Sequence, residues 1–177
     1  MNKSNSNNFY NDLVMDGFLN PHNYGKLDNP DGVGEVGNVV CGDVMKIYLK
    51  VKTQKNKIII ADISFETYGC AAAIATSSMI TDLARGKTLE KAWEIKNEDL
   101  ADSLSGLPPI KMHCSVLAAD ALKEAIFNYL VKNKQKIPEE YKKIHQKLQK
   151  NKQVIEERYQ PWIEAERKKM KEEKCEN

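Results

Sequence analysis

The chain has 177 residues, long enough for one domain with its own core and an appendage. Its 27 Lys and Arg nearly balance 25 Asp and Glu, and no base-reading or stacking motif accompanies the charge, which argues against a nucleic-acid partner. No run of ~18 apolar residues is present to span a bilayer and the start, MNKSNSNNF, is polar rather than leader-like, so no membrane is expected and the cytoplasm is the expected location.

The charge is unevenly placed. Residues 132–177 hold 14 Lys and Arg against 9 Asp and Glu, while residues 1–131 hold 13 against 16. That division predicts a body and a basic, strongly charged tail whose interleaved signs suit a solvated helix face.

Residues 1–8 read as a disordered polar N-terminus. FYNDLVMDGFL, residues 9–19, carries a short helical pattern ended by Asn20-Pro21, and residues 20–37 read as loop with at most an edge strand. Two strands follow. In VMKIYLKVK, Met45, Ile47, Leu49 and Val51 alternate with lysines. In IIIADISFE, strict alternation places Ile59, Ala61, Ile63 and Phe65 on one face. TQKNK joins them as a hairpin connection.

After Tyr68-Gly69-Cys70 the period becomes helical, AAAIATSSMITDLA, with Gly86 as the stop. Thr88 caps a shorter helix, and NEDLADSL gives another. The stretch LPPIKMHCSVLAADAL, residues 107–122, sets Pro108 and Pro109 ahead of a helix expected from about Ser115 to Lys132. His113 and Cys114 then fall at or near its N-terminus, where the helix dipole favours a thiolate. Strands first and helices after predict an α+β fold, helices packed on one face of a small antiparallel sheet.

From Pro138 onward a long polar helix is expected. Ile137, Tyr141, Ile144, Leu148, Ile155 and Trp162 follow a loose 4-3 spacing, but Asn151, Arg158 and Pro161 break the seam that a coiled coil needs. The expectation is an amphipathic helix lying on the body or on a partner.

Four cysteines, Cys41, Cys70, Cys114 and Cys175, include no C-x-x-C pair, and a cytosolic chain does not use them as a disulfide framework. Cys41 lies in VVCGDVMK with Asp43 two residues on. Cys70 sits at a strand-to-helix transition, and Cys114 at a helix start beside His113. Three thiols at element ends, a carboxylate and an imidazole suit either Zn²⁺ or an iron–sulfur cluster. Because a carboxylate oxygen matches cluster iron less well than thiolate, Asp43 would leave such cargo exchangeable. Taken singly, Asp43 also reads as a turn residue, His113 as a capping or surface residue, and Cys114 as a buried helix thiol. Cys175, near the end of the tail, reads as incidental. A Cys-His hydrolase is disfavoured, since adjacent residues rarely present nucleophile and base to each other.

Taken together, NPHNYG (20–25), CGDVMK (41–46), TYGCAAAIATSS (67–78) and LPPIKMHCSVLAADAL resemble the IscU/NifU-type iron–sulfur cluster assembly scaffold, over residues 9–132. The resemblance implies a three-stranded antiparallel sheet with helices on one side, and a charged helical extension over 133–177 that the family does not explain. It implies a scaffold, not an enzyme, on which Fe²⁺ and sulfur from an IscS/NifS-type cysteine desulfurase become a transient [2Fe–2S] cluster for apo iron–sulfur proteins. Cys41, Asp43, Cys70 and Cys114 match the cluster-assembly residues and His113 an alternative ligand, and members also bind Zn²⁺ there. Cys114 is the preferred sulfur acceptor. Leu107, Pro108, Pro109, Ile110 and Lys111 resemble the peptide that engages an Hsp70/J-type chaperone pair, the alternative being a Pro-Pro helix start that orients Cys114. Ala71 departs from the glycine common in the family. The 44-residue separation of Cys70 and Cys114 leaves no room for the insertion of the SufU branch, whose zinc-binding sulfur acceptors are the alternative reading.

Overall fold

The computed structural model describes residues 9–38 and 42–175; the expected disorder of residues 1–8, and Cys41, lie outside them. Three strands, β1 (Gly32–Gly37), β2 (Val44–Gln54) and β3 (Lys57–Tyr68), form an antiparallel sheet in sequence order. Lys55 and Asn56 close the β2–β3 hairpin with φ of +48° and +59°, the left-handed pair that a two-residue primed turn requires.

The inward face of β3 differs from strict alternation. Its register with β2 passes from Lys50↔Asp62 to Val51↔Ile60, so Ala61 is an extra residue at a bulge. The bulge reverses the facing of what precedes it. Ile60 is therefore buried with Ile63 and Phe65, whereas Ala61 is exposed and Ile59 only half-buried.

β1 is the edge strand that its glycine-rich sequence barely suggests. Gly34 is needed because a Cβ there would stand 2.2 Å from the Ala121 carbonyl oxygen, so the helix above packs directly on the strand backbone.

The helices are α1 (Asp12–Leu19), α2 (Ala71–Ala84), α3 (Leu89–Trp93), α4 (Asn97–Ser103), α5 (Met112–Lys132) and α6 (Glu139–Cys175). One sheet face carries Met45, Ile47, Leu49, Ile63 and Phe65, which are fully buried with Ile80 of α2 and Ile126 of α5. Each such side chain contributes roughly 1.5–3 kcal/mol of burial. The opposite face carries Lys46, Glu66 and the exposed Tyr68. There Tyr48 donates its hydroxyl to Glu66, and burial followed by that carboxylate pushes its pKa up to about 12.

α5 starts three residues before the expected Ser115. Pro109 opens a 3-10 turn, Pro109–Lys111, that runs straight into Met112, because proline is tolerated at a first helical position. His113 and Cys114 consequently sit within the first turn of α5.

Of the two placements open for the tail, the body is the one observed. α6 continues through Pro161, and its first half buries Tyr141 and Leu148 against the core. Tyr141 stacks on Trp93 of α3 with ring centroids 3.3 Å apart. On α5, the buried Glu124 carboxylate meets His145 Nδ1 at 2.9 Å and accepts from Gln149 Nε2 at 2.8 Å.

Candidate functional site

Cys70 is the N-cap of α2, in extended conformation, and its carbonyl accepts from the Ile74 N–H. The adjacent N-terminus of α2 and the first turn of α5 approach each other, since Ala72, Ala73 and Cys114 share one buried cluster. The Cys70 and Cys114 sulfurs stand 3.7 Å apart. Both lie at helix N-termini, where the helix dipole favours negative charge.

Asp43 enters from the start of β2. Asn38, just after β1, is tied to the two residues before β2 by backbone bonds, Asn38 N–H to the Asp43 carbonyl and Gly42 N–H to the Asn38 carbonyl, both 2.9 Å. Gly42 has φ +76°, a conformation that glycine allows at little cost. The Asp43 carboxylate points inward, 8% exposed, and accepts from the Cys114 thiol at 3.9 Å. His113 Nε2 lies 3.5 Å from the same sulfur. Donor atoms of Asp43, His113 and Cys114 thus fall within 4.8 Å of one another, a spacing a metal ion can bridge.

The structure therefore brings together four of the five residues singled out from sequence, Asp43, Cys70, His113 and Cys114. Cys41 lies outside the described residues.

Two neighbours escaped the sequence reading, and a third was read in another role. A Cβ on Gly69 would stand 3.0 Å from Asp43 Cγ and 2.8 Å from Ala73 Cβ, so that glycine makes room for the carboxylate. Tyr10 packs on this cluster, and burial, then the Cys70 thiol, raise its pKa. Lys111 was singled out only as part of a recognition peptide, yet its ammonium pKa is raised chiefly by the Cys70 thiol. Its position three residues before Cys114 was a usable signal; nothing in FYNDLV marks Tyr10.

Of the peptide Leu107–Lys111, Leu107 is half-buried against the cysteine cluster, while Pro109 is exposed and Ile110 is 70% exposed.

The family model for the NifU-like N-terminal domain matches residues 9–136, the segment that carries all four residues of this constellation. The chain belongs to the NifU-like N-terminal domain family. Among members, it is 58% identical over 124 residues to the iron–sulfur cluster assembly scaffold protein IscU 1 of Archaeoglobus fulgidus, covering 70% of this chain and 78% of that one. It is 48% identical over 130 residues to the IscU scaffold protein of Escherichia coli K12, covering 72% and 98%. The NifU-like protein (N-terminal) from Brucella abortus shares the fold, with a TM-score of 0.54 at 21% identity over 70% of this chain and 96% of that one. The match to the family model ends before α6 begins.

Proposed function

We propose that the protein is an iron–sulfur cluster assembly scaffold, a carrier of cargo without catalytic turnover of its own. The observation that carries this reading is the meeting of Asp43, Cys70, His113 and Cys114 at two helix starts and one strand start, in a family whose close members are named as such scaffolds. Residues 9–132 form the scaffold unit, 133–177 an appended helix, and the working compartment is the cytoplasm.

Cys41, Asp43, Cys70 and Cys114 hold Fe²⁺ and then the cluster, a transient [2Fe–2S], with His113 as an alternative donor; the same set accepts Zn²⁺. Sulfur arrives as the persulfide of an IscS/NifS-type cysteine desulfurase. The Cys114 thiolate attacks the outer sulfur and the desulfurase thiolate leaves. Two electrons from an external reductant then convert each bound persulfide to sulfide and restored thiolate. Lys111 lies close enough to the site for the Cys70 sulfur to be the main cause of its raised pKa, which keeps a cation at the cargo's edge. Apo iron–sulfur proteins receive the product.

Leu107, Pro108, Pro109, Ile110 and Lys111 engage the Hsp70/J-type chaperone pair. A groove that takes all five residues must lift Leu107 away from Cys70, which couples capture of the peptide to opening of the site.

The test is anaerobic reconstitution with Fe²⁺, cysteine, a reductant and a catalytic amount of desulfurase, followed by visible absorption and Mössbauer spectroscopy and then addition of apo-ferredoxin. A [2Fe–2S] spectrum that forms and migrates to the acceptor is expected. Retention of one Zn²⁺ with no cluster, together with faster desulfurase turnover, would instead establish the SufU-like sulfur acceptor, which the tight Asp43–His113–Cys114 group also suits.

A further inference from the structure

The strand that leads into the 38–43 connection is poorly equipped to hold it. Among the described residues β1 has β2 on one side and no strand on the other, and three of its residues, Gly32, Gly34 and Gly37, contribute little strand preference. What stands against its end is α6. Lys152 Nζ lies 3.6 Å from Glu35 Oε1, while Lys46 of β2 holds the other oxygen of the same carboxylate at 2.7 Å. Ile155 Cδ1 lies 3.0 Å from where a Gly37 Cβ would be, so its side chain rests on the strand's last residue. A cavity of about 210 Å³ separates the two just beyond, with Asn38 and His113 on one wall and Lys147, Leu148 and Asn151 on the other. The helix is itself fixed at this level by the buried Leu148 and by the Glu124 carboxylate that Gln149 reaches.

We infer that α6 is a brace for the site: Lys152 and Ile155 are positioning residues that hold the end of β1, and through the backbone bond from Asn38 N–H to the Asp43 carbonyl they hold Asp43. The brace lies outside the segment the family model matches, and it goes beyond the scaffold reading, because it acts on any ion Asp43 helps to bind. It keeps Asp43 in place before cargo arrives, so less ordering is left to be done on binding and cargo leaves more slowly.

Hydrogen exchange reads the brace directly, because the Asn38 and Gly42 amides make the backbone bonds that tie Asn38 to Asp43 and Gly42. In the full chain carrying K152A and I155A together, exchange of these two amides is expected to accelerate about fivefold or more, the scale of one lost ion pair and a partly buried contact. Zn²⁺ release to a chelator should accelerate by a similar factor. In the Ile155-intact chain, K152A alone should give a smaller acceleration and Lys152→Arg should keep the wild-type rates. Unchanged exchange at Asn38 and Gly42 would overturn the inference, whatever happens to metal release. So would acceleration spread equally over β1, β2 and α5, which would make α6 general packing; K152A alone, at a half-exposed position, guards against simple unfolding. Neither outcome touches the cluster reconstitution, which tests the scaffold reading separately.

Discussion

Asp43 is the hard donor among soft ones, and its surroundings keep it where it can act. Gly69 leaves space for its carboxylate, the Cys114 thiol points at it, and 8% exposure keeps water largely away. Thiolate binds iron more firmly than carboxylate, so one oxygen ligand leaves one weak corner through which an acceptor can enter. Asp43→Ala is therefore expected to slow cluster transfer to apo-ferredoxin by about tenfold. Stopped-flow absorption checks this; unchanged transfer kinetics would remove Asp43 from that role.

At the scale of elements, the contact between α5 and β1 decides whether the site has a floor. Gly34→Ala would place a methyl 2.2 Å from a helix carbonyl and 2.3 Å from the Ala125 nitrogen, against backbone that has no rotamer with which to yield. The expected cost is about 3 kcal/mol or more, read from the midpoint of a urea unfolding curve at unchanged slope. Those same glycines explain why β1 was legible only as a doubtful edge strand: local preference opposes it, and only the helix above supplies the reason. The other shortfalls are of the same kind. Ala61 continues a clean alternation that a bulge overrides, and the bulge shows itself in pairing rather than in sequence. α5 begins at Met112 rather than near Ser115 because the 3-10 turn opened by Pro109 runs directly into it, so the two prolines delay the helix by only one turn. What was legible had local causes. The alternation in β2, the Thr88 cap and the cysteines at element ends all follow from residues within a few positions of each other. The meeting of Tyr10 and Gly69 with the cysteines and Asp43 depends on tertiary packing, which leaves no trace at short range.

The whole molecule joins a body of net negative charge to a tail of net positive charge, and Glu35 is where they touch through Lys152. The hydrogen bond from Lys46 is the main cause holding the Glu35 carboxyl below its ordinary 4.5. A depressed acid gives stability that is present above the ordinary value and is lost as pH falls through the folded one. Contact between α6 and β1 should thus be intact at neutral pH and weaken in acid, with a midpoint below 4.5. Resonances of Ile155 and Gly37 followed by NMR during an acid titration should move with that midpoint. Glu35→Gln should abolish the transition, and movement independent of this carboxyl would show that another group governs the contact.

The residues that meet at the site are spread along the chain: Asp43 and Cys114 are 71 positions apart, and Cys70 and Cys114 44. A ribosome adding ~5–20 residues each second needs about 4–14 s to pass from one end of that interval to the other. The β2–β3 hairpin has its turn and both strands within that time and can form in microseconds. Cys70 therefore emerges on a chain that already has local order but still lacks the helix bearing His113 and Cys114. For the 44 residues that then separate it from Cys114, about 2–9 s at that rate, the nascent chain offers a thiol without its enclosure, and the complete donor set comes into being only when the last of its helices leaves the exit tunnel.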